Sequence, residues 1–291
     1  MTLGLAEHET KWRQVLSTAP EPVSSGGARG VLNRVWRRYN AAVWTLVGSH
    51  VRTSLFDPHF LYRYYFLKNL RRVTYDRTGI LVDIGCGRQP YQSLLPAALR
   101  VGIDLPYYSG GDPAEQPVVA CYGHAASLPL RDRVAQTAVV FQVLEHVPEP
   151  LPILQEAYRV LVPGGRLLVT VPQSFPMHGI PHDYYRYTQY GITWLLEQAH
   201  FRVLSVEPNG TFGAYIGLMW NIYMFQHCFE SREPYALRLF LGAVKMVLTP
   251  ILLLIVALVN LWGFALEAWH HLPYFTANWT VVAVKPHERS E

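Results

Sequence analysis

From Gly79 onward, short apolar runs alternate with longer mixed segments. The runs are rich in Val, Ile and Leu, which is typical of strands buried on both faces. Segments 150–162 and 189–199 carry apolar residues at helical spacing. Strands that alternate with helices indicate an α/β fold, a parallel sheet with helices on both faces. The predicted strands are 80–84, 100–104, 118–122, 137–141, 166–171, 201–207 and 279–285.

The first predicted strand leads directly into a glycine-rich turn. In LVDIGCGRQP the strand ends in Asp83, and Gly85-Cys86-Gly87 follow. Glycine lets the backbone approach a ligand closely, and open α/β sheets bind ligands at the carboxyl ends of their strands. The next strand ends in Asp104, 21 residues after Asp83, where an acid can accept hydrogen bonds from the hydroxyls of a ribose. The two acids predict an adenosine-containing cofactor.

Later motifs decide between classes of cofactor enzyme. A nicotinamide or flavin enzyme needs a third glycine in this turn, and position 90 is proline. HAASLPL (124–130), FQVLEHVPEP (141–150) and LQEAYRVLVPGGRLLVTVP (154–172) follow in order. Together these motifs resemble the class I S-adenosylmethionine-dependent methyltransferases, specifically the small-molecule type 11 group. The resemblance covers about residues 79–207 plus the final strand.

The resemblance implies a fold, a cofactor and a set of binding residues. The fold is a Rossmann-like, seven-stranded methyltransferase sheet, and the cofactor is S-adenosyl-L-methionine. In the family's pattern His124 replaces an Asp, and Ala135-Gln136 replace a Phe-Asp pair before the fourth strand. The implied cofactor-binding residues are Asp83, Gly85, Cys86 and Gly87 of the first motif, Asp104 at the ribose, His124 and Ala125 at the adenine edge, and Gln142 on the methyl side.

The segment MHGIPHDYYRYT (177–188) gathers groups that can move a proton. Methyl transfer to an alcohol or phenol benefits from proton removal, most often by histidine. His182 is the first candidate for this catalytic base, with Asp183 as its orienting partner, and His146 is the second. The alternatives are a loop or capping role for His182 and a structural role for His146.

The three cysteines are far apart and form no CxxC pair. They predict neither a zinc site nor a disulfide framework, so no metal is expected. His270-His271 lack nearby carboxylates or cysteines, which favours an interfacial pair over metal ligands. A reducing, cytosolic-side location fits this cysteine usage, and the N-terminal residues have no signal-peptide core.

Charge is unevenly distributed along the chain. Only 16% of residues are charged, against a usual share of about 25%. Segment 29–77 holds ten Lys or Arg and two Asp, a net +8, so the formal +4 of the chain leaves −4 elsewhere. Basic and aromatic residues on helices favour anionic lipid headgroups. Nucleic acid, the other partner of basic segments, is disfavoured because the chain also carries apolar stretches.

Two stretches, 208–229 and 246–266, contain no charged residue before the last strand. Each is near the roughly 20 apolar residues that span a bilayer. The last strand must return to the sheet, so either a helical hairpin enters and leaves the membrane, or both helices lie in its interface. Pro250, Asn260 and Gly263 favour shallow or hairpin insertion. A buried lid or a dimer interface is the alternative.

These features predict an enzyme with a membrane-facing insertion. We expect S-adenosylmethionine-dependent O-methylation of a lipid-linked, glycolipid or isoprenoid acceptor at the cytoplasmic side of a membrane. The alternatives are a non-catalytic cofactor-binding scaffold and a soluble small-molecule methyltransferase; acceptor identity and oligomeric state stay open. The predicted parts are a flexible tail (1–28), a basic aromatic helical segment (29–78), the cofactor-binding core (79–207), an apolar helical insertion (208–277), and the final strand and tail (278–291).

Overall fold

A computed structural model describes most of the 291-residue chain. The predicted tail 1–28, the start of the basic segment at 29–37 and His270-His271 lie outside the described residues. The described residues form two compact units: 65–209 with 275–287, and 38–64 with 210–274, apart from the gaps. The described ranges are 38–39, 41–43, 45–49, 51–106, 119–229, 235–269, 272 and 274–287.

The first unit is built on one seven-stranded sheet. Its strands are β1 (Ile80–Ile84), β2 (Leu99–Asp104), β3 (Cys121–Tyr122), β4 (Ala135–Phe141), β5 (Leu161–Pro172), β6 (Arg202–Pro208) and β7 (Asn278–Val284). They lie in the order β3-β2-β1-β4-β5-β7-β6, and β7 runs antiparallel between β5 and β6. The neighbours among β1 to β5 are parallel. This arrangement confirms the predicted Rossmann-like sheet.

The helices of this unit follow from local sequence. They are α2 (Pro150–Val160), α3 (Gln189–Gln198) and the part of α1 (Phe60–Arg72) from Tyr65 onward. Proline stands in the first turn of α2, where a missing N–H costs nothing. Helix α2 buries Ile153, Leu154, Ala157 and Val160 on one face. The Thr188 hydroxyl caps α3 by accepting the Gly191 N–H.

The boundary between α2 and β5 differs from the predicted one. The sequence pattern extends the helix to 162 and starts the strand at 166, whereas the helix ends at Val160 and β5 begins at Leu161. Leu161 is already extended and pairs with Ala135 of β4. The register then shifts, and Gly164 takes a φ of +81° in the resulting bulge. The Pro-Gly-Gly segment therefore lies inside the strand rather than before it.

The sheet has a topological switch point between β1 and β4. From β1 the chain moves outward through β2 and β3, and from β4 it moves outward in the opposite direction. Right-handed crossover connections would place those of the two halves on opposite faces of such a sheet. The connections diverge at the carboxyl ends of β1 and β4, where such sheets bind ligands.

The second unit contains α4 (Phe212–Phe229) and α5 (Tyr235–Trp269), which pack against each other in antiparallel directions. Glycines allow the close approach: a Cβ on Gly213 would lie 2.4 Å from the Gly263 carbonyl oxygen, and one on Gly263 would lie 2.8 Å from the Gly213 oxygen. Helix α5 continues through Pro250. Asn260 is also accommodated inside the helix: its side-chain N–H groups donate to the carbonyls of Leu55 and Asp57 at 2.7 and 2.9 Å.

A buried acid caps α4. The Glu267 carboxylate accepts the Thr211 N–H and hydroxyl at 2.6 and 2.7 Å, and the Ala214 N–H at 3.1 Å. Negative charge at a helix N-terminus is favourable, because the first N–H groups have no partner within the helix. Glu267, just beyond the second uncharged stretch, thus stabilises the start of α4.

One basic residue of the N-terminal segment is not on the surface. Arg63 is buried and its Nη1 lies 2.6 Å from Asp57 Oδ2. Burial opposes ionisation of Asp57, but Arg63 and His59 outweigh it, so the pKa of Asp57 lies below its usual value. Arg63 therefore contributes to the internal structure of this unit and not to a basic surface.

Within the described residues, one helical stretch, Val247–Trp269, is long and apolar enough to cross a membrane. About 39% of its most apolar part is buried. Core helices of soluble proteins can meet the same criteria. The criteria rest on length and composition alone.

Candidate cofactor and catalytic site

The turn after β1 is anchored on β2. The N–H groups of Gly85 and Cys86 donate to the Ile103 carbonyl at 2.8 and 3.2 Å. Gly85 has a φ of +68°, and a Cβ there would lie 2.5 Å from Cγ2 of Val143. Position 85 thus requires glycine for both its backbone conformation and the space around it.

Asp104 is held rigidly at the end of β2. Its Oδ2 accepts the Gly87 N–H at 2.7 Å, and its Oδ1 accepts the Leu105 N–H at 2.8 Å. The residue is 5% exposed. Each carboxylate oxygen can accept more than one hydrogen bond, so this orientation fits the two hydroxyls of a ribose.

Asp83 is buried next to Asp104 in the same strand-end cluster. Arg100 Nη1 lies 3.4 Å from Asp83 Oδ2. Burial raises the pKa of Asp83 to about 7; Arg100 opposes the increase, and the negative charge of Asp104 adds to it. A cation bound here would favour the ionised carboxylate.

Cys86 lies in the turn as a neutral thiol. Burial, with smaller effects of Asp83 and Asp104, raises its pKa to about 12. A thiolate is required for nucleophilic attack. A neutral Cys86 thiol is therefore a small side chain between two glycines and not a nucleophile.

His124 forms a turn that is linked to Asp104. The Gly123 N–H donates to the Asp104 carbonyl at 3.0 Å, and the Ala126 N–H donates to His124 Nδ1 at 3.2 Å. An aspartate side chain makes the same contact to the N–H two residues ahead. The imidazole thus reproduces the local turn of the family's usual Asp, and half-buried Ala125 lies inside it.

Gln142 follows β4 with a φ of +54°. Its Nε2 donates to Thr170 Oγ1 at 3.1 Å, and its Oε1 accepts from Asn278 Nδ2 at 3.0 Å. The side chain therefore connects the ends of β4 and β5 to the start of β7. Its place on the methyl side of the cofactor stays a prediction.

Gln136 stands at the start of β4, where the family's pattern has an Asp. Its side-chain oxygen accepts the Ile80 N–H at 2.7 Å. An amide oxygen can accept this bond as well as a carboxylate can. The substitution maintains the link between β4 and β1.

The predicted pairing of His182 with Asp183 is wrong. Asp183 accepts hydrogen bonds from Arg186 Nη1 and Nη2, both at 2.7 Å, and from the His178 N–H at 2.9 Å. These contacts direct the carboxylate into its own loop. The exposed imidazole of His182 instead has its Nδ1 3.2 Å from the Tyr184 hydroxyl.

His146 lies in a buried 3-10 turn, Leu144–His146. Its Nδ1 is 2.6 Å from the His182 carbonyl oxygen. Burial lowers the pKa of His146 despite the opposing charge of Glu145. The two candidate bases are thus joined by a contact between the ring of His146 and the backbone of His182.

Neither Glu145 nor a separate role for His178 was predicted from the sequence. Both are buried, and the His178 ring packs edge-on against His146 with centroids 4.9 Å apart. Glu145 adjoins His146 in the LEHV motif, which offered one signal. His178 lies 32 residues beyond His146, and only the path of the loop after β5 brings it back.

Two groups of residues therefore form at the carboxyl ends of the strands. Hydrogen bonds join the Gly85–Gly87 turn, Asp104 and the His124 turn, and Asp83 ends β1 beside them. His146, His178 and Asp183 form the second group. The His182 side chain belongs to neither group.

Comparisons with known proteins agree with this geometry. Residues 82–169 match a family model described as a methyltransferase domain. A probable S-adenosylmethionine-dependent methyltransferase from Mycolicibacterium smegmatis is 32% identical over 133 residues, covering 42% of this chain and 52% of that protein. A demethylmenaquinone methyltransferase from Anoxybacillus flavithermus is 32% identical over 75 residues, covering 26% of this chain and 32% of that protein. This chain thus spans about half of the first relative and about a third of the second.

A solved structure with a similar chain trace is phosphoethanolamine N-methyltransferase 2 from Haemonchus contortus, in complex with S-adenosyl-L-methionine. It is 17% identical, with a TM-score of 0.44, and the match covers 79% of this chain and 57% of that one. The family match and the two curated relatives carry the assignment, together with the strand order and the turn after β1. Residues 82–169 match a methyltransferase domain, and the relatives and the strand order support the class I, S-adenosylmethionine-dependent type.

Proposed function

We propose that this chain is an S-adenosylmethionine-dependent methyltransferase that O-methylates a lipid-linked, glycolipid or isoprenoid acceptor at the cytoplasmic side of a membrane. The observation that carries the methyltransferase activity is the hydrogen-bonded unit of the Gly85–Gly87 turn and Asp104 at the switch point. The acceptor class rests on the exposed apolar face of α5.

The residues of the first group fit the cofactor. When bound, S-adenosylmethionine supplies a methyl group on a positively charged sulfur. Asp104 would orient the ribose, the glycine turn would allow close approach of the backbone, and the buried carboxylate of Asp83 would attract positive charge. Orientation of this kind supplies much of the rate of a methyl transfer.

His182 is the proposed base for a hydroxyl acceptor. Its ring is exposed on the loop after β5, whereas both nitrogens of His146 face the protein interior. With S-adenosylmethionine bound to supply the methyl group, the His182 imidazole would accept the proton that the acceptor hydroxyl loses on methylation. Proton removal of this kind contributes about 10²- to 10⁴-fold to a rate.

The membrane assignment is supported by the surface of α5. Apolar side chains recur at helical spacing along it, and Leu254 and Leu258 are each 56% exposed. A soluble surface rarely carries so long an apolar stripe. The exposed large apolar residues of α5 are Val247, Leu248, Ile251, Leu254, Ile255, Leu258, Leu261, Trp262, Phe264 and Trp269.

Calorimetry with S-adenosylmethionine tests cofactor binding. We expect saturable binding to the full chain and its loss in Asp104→Asn. Asp132→Asn, at an exposed acid on another loop, should bind as the wild type does. Absence of binding to the wild type would overturn the proposed activity, and binding without turnover on any lipid extract would favour the scaffold function.

Turnover tests the base. His182→Gln should lower kcat by about 10²-fold or more while the affinity for S-adenosylmethionine stays unchanged. An unchanged kcat would remove His182 from the mechanism.

Flotation with vesicles of phosphatidylcholine and phosphatidylglycerol tests the membrane assignment. The full chain should float with the vesicles, and Leu254→Ser with Leu258→Ser should reduce the bound fraction. Leu204→Ser changes an exposed leucine on β6 and serves as the control. A wild-type chain that stays in solution without detergent would favour a lid or dimer interface instead.

Mass spectrometry of lipid extracts identifies the acceptor. Cells with and without the active chain should differ in a lipid by one CH₂ group. Cells that carry the Asp104→Asn variant should give the same lipid extract as cells without the chain. A methylated species found only in the water-soluble fraction would contradict the lipid-linked acceptor.

A further inference from the structure

Three buried side chains at the carboxyl edge have no role in the proposed reaction. Glu145 and His146 lie in the turn after β4, and His178 lies in the loop after β5. Their exposed fractions are 0%, 2% and 5%. Their potential ligand atoms all lie within 4.8 Å of one another.

Backbone carbonyls determine which nitrogen of each ring carries hydrogen. His146 Nδ1 lies 2.6 Å from the His182 carbonyl oxygen, and His178 Nδ1 lies 2.9 Å from that of Pro176. A carbonyl only accepts, so both Nδ1 atoms donate; Arg186 Nη2, at 3.5 Å from His178 Nδ1, is the more distant contact. Each neutral ring then has a lone pair on Nε2. Metal-binding histidines are commonly held by the same kind of bond.

Both Nε2 atoms face a single carboxylate. His146 Nε2 lies 3.9 Å and His178 Nε2 lies 3.8 Å from Glu145 Oε1. These distances are too long for hydrogen bonds, and neither oxygen of Glu145 nor the Nε2 of His146 has a hydrogen-bond partner among the described residues. An unpaired buried carboxylate is strongly unfavourable. With both rings neutral, three acceptors converge with no donor between them, and a cation would satisfy all three.

We infer that Glu145, His146 and His178 bind one divalent transition-metal ion of the Zn²⁺ class. Two imidazole nitrogens and one carboxylate oxygen are a donor set of zinc sites, and they leave a fourth tetrahedral position for water or an acceptor oxygen. Ligand distances of about 2.1 Å place tetrahedral donors about 3.4 Å apart. The two nitrogen–carboxylate separations, 3.8 and 3.9 Å, need to shorten by about half an ångström, and the two histidine nitrogens must also approach each other from within 4.8 Å.

The ion links two segments that are far apart in sequence. Glu145 and His146 belong to the turn after β4, while His178 belongs to the loop that also carries His182. The backbone already joins these segments, because the Tyr184 N–H donates to the Glu145 carbonyl at 2.8 Å. The metal would fix the loop at the sheet edge whether or not the cofactor is bound.

Metal content of the full chain is the direct test. Chain that has been incubated with Zn²⁺ and passed over a chelating resin should retain about one ion by elemental mass spectrometry. Co²⁺ added to the metal-free chain should give a visible absorption band that Zn²⁺ abolishes. Zn²⁺ should also raise the Tm of the metal-free chain.

Variants place the ion. Glu145→Gln and His178→Gln keep approximate size, and each should weaken Zn²⁺ binding at least tenfold and abolish the Tm increase. His182→Gln, in the same loop, should retain the ion and the Tm increase. The inference is overturned if the wild type retains no ion and shows no Co²⁺ band, or if Glu145→Gln binds as the wild type does. A metal-free Glu145→Gln chain that is more stable than metal-free wild type, with no metal effect in either, would show that a proton occupies the site instead.

Discussion

The carboxyl group of Asp83 is close to half protonated at neutral pH, because burial raises its pKa to about 7. The folded chain then holds this proton more tightly than the unfolded chain does. The contribution of Asp83 to stability is therefore fully present below about pH 4 and is lost as the pH rises through 7. A positively charged ligand reverses this cost by stabilising the ionised form.

We expect the affinity for S-adenosylmethionine to rise between pH 6 and pH 8, because binding favours ionised Asp83. Calorimetry near pH 6.5 in two buffers with different ionisation enthalpies should detect proton release on binding. Asp83→Asn should bind more weakly, with a flatter pH dependence. Equal proton release by the wild type and this variant would assign the proton to another group.

Gly85→Ala should destabilise the chain and abolish cofactor binding. An alanine costs about 1–2 kcal/mol in the left-handed conformation of this residue, and its Cβ would overlap Val143. Thermal unfolding and calorimetry measure the two effects. Adding Val143→Ala should recover the part due to overlap, and the backbone part should remain; wild-type stability of Gly85→Ala would contradict the geometry of the turn.

At this scale the sequence predicted some residues well and others poorly. Asp83, Gly85 and Asp104 belong to short motifs whose strand context is local, so their positions could be predicted. The partner of Asp183 could not be predicted, because it depends on the path of one loop. Arg186, three residues ahead, donates two hydrogen bonds to Asp183, whereas the adjacent His182 side chain contacts Tyr184. The same path brings His178 to Glu145.

At the scale of elements, one acid accounts for the start of α4. Glu267 accepts three hydrogen bonds from Thr211 and Ala214 while being 7% exposed. Its sequence position at the end of an apolar stretch gives no sign of this role. The contact exists because α4 and α5 run antiparallel, which brings the end of one helix to the start of the other.

Glu267→Gln should lower the stability of the second unit by about 1–3 kcal/mol, since an amide N–H group would face an N–H donor. Thermal unfolding followed by tryptophan fluorescence measures the change. Glu197→Gln, at an exposed residue of α3, should have little effect. Equal transitions for the two variants would show that the carboxylate is not required as a cap.

Most strands were more predictable than the ends of helices, although the predicted strand 118–122 is a strand only at Cys121–Tyr122 among the described residues. Residues 137–141 are all buried, and a short, continuous apolar run of this kind is typical of a strand that is covered on both faces. The end of α2 depends on where Leu161 finds a partner in β4, and α5 passes Pro250 as an unbroken helix. The first of these outcomes depends on a contact distant in sequence, the pairing of Leu161 with Ala135.

At the scale of the whole molecule, charge and apolar surface act together in the proposed function. Lys68, Arg71 and Arg72 of α1 are exposed, and the apolar stripe lies on α5. Basic residues near an anionic surface contribute about 1 kcal/mol each, and salt screens them.

Flotation with anionic vesicles should therefore weaken as salt rises, whereas flotation with pure phosphatidylcholine should change little. Changing Arg71 and Arg72 to Gln should reduce the salt dependence and leave cofactor binding intact. Salt-independent flotation on both kinds of vesicle would show that the apolar stripe suffices without the basic residues.

The place of β7 between β5 and β6 has a consequence for how the chain is made. Strand β6 has β7 as its neighbour in the sheet, and β7 is synthesised some 70 residues later, after both helices of the second unit. On the ribosome, the edges of β5 and β6 must wait unpaired for that last strand, and unpaired edges invite association with other chains. A ribosome that stalls within α5 would release a chain with its cofactor motifs complete and its sheet still open.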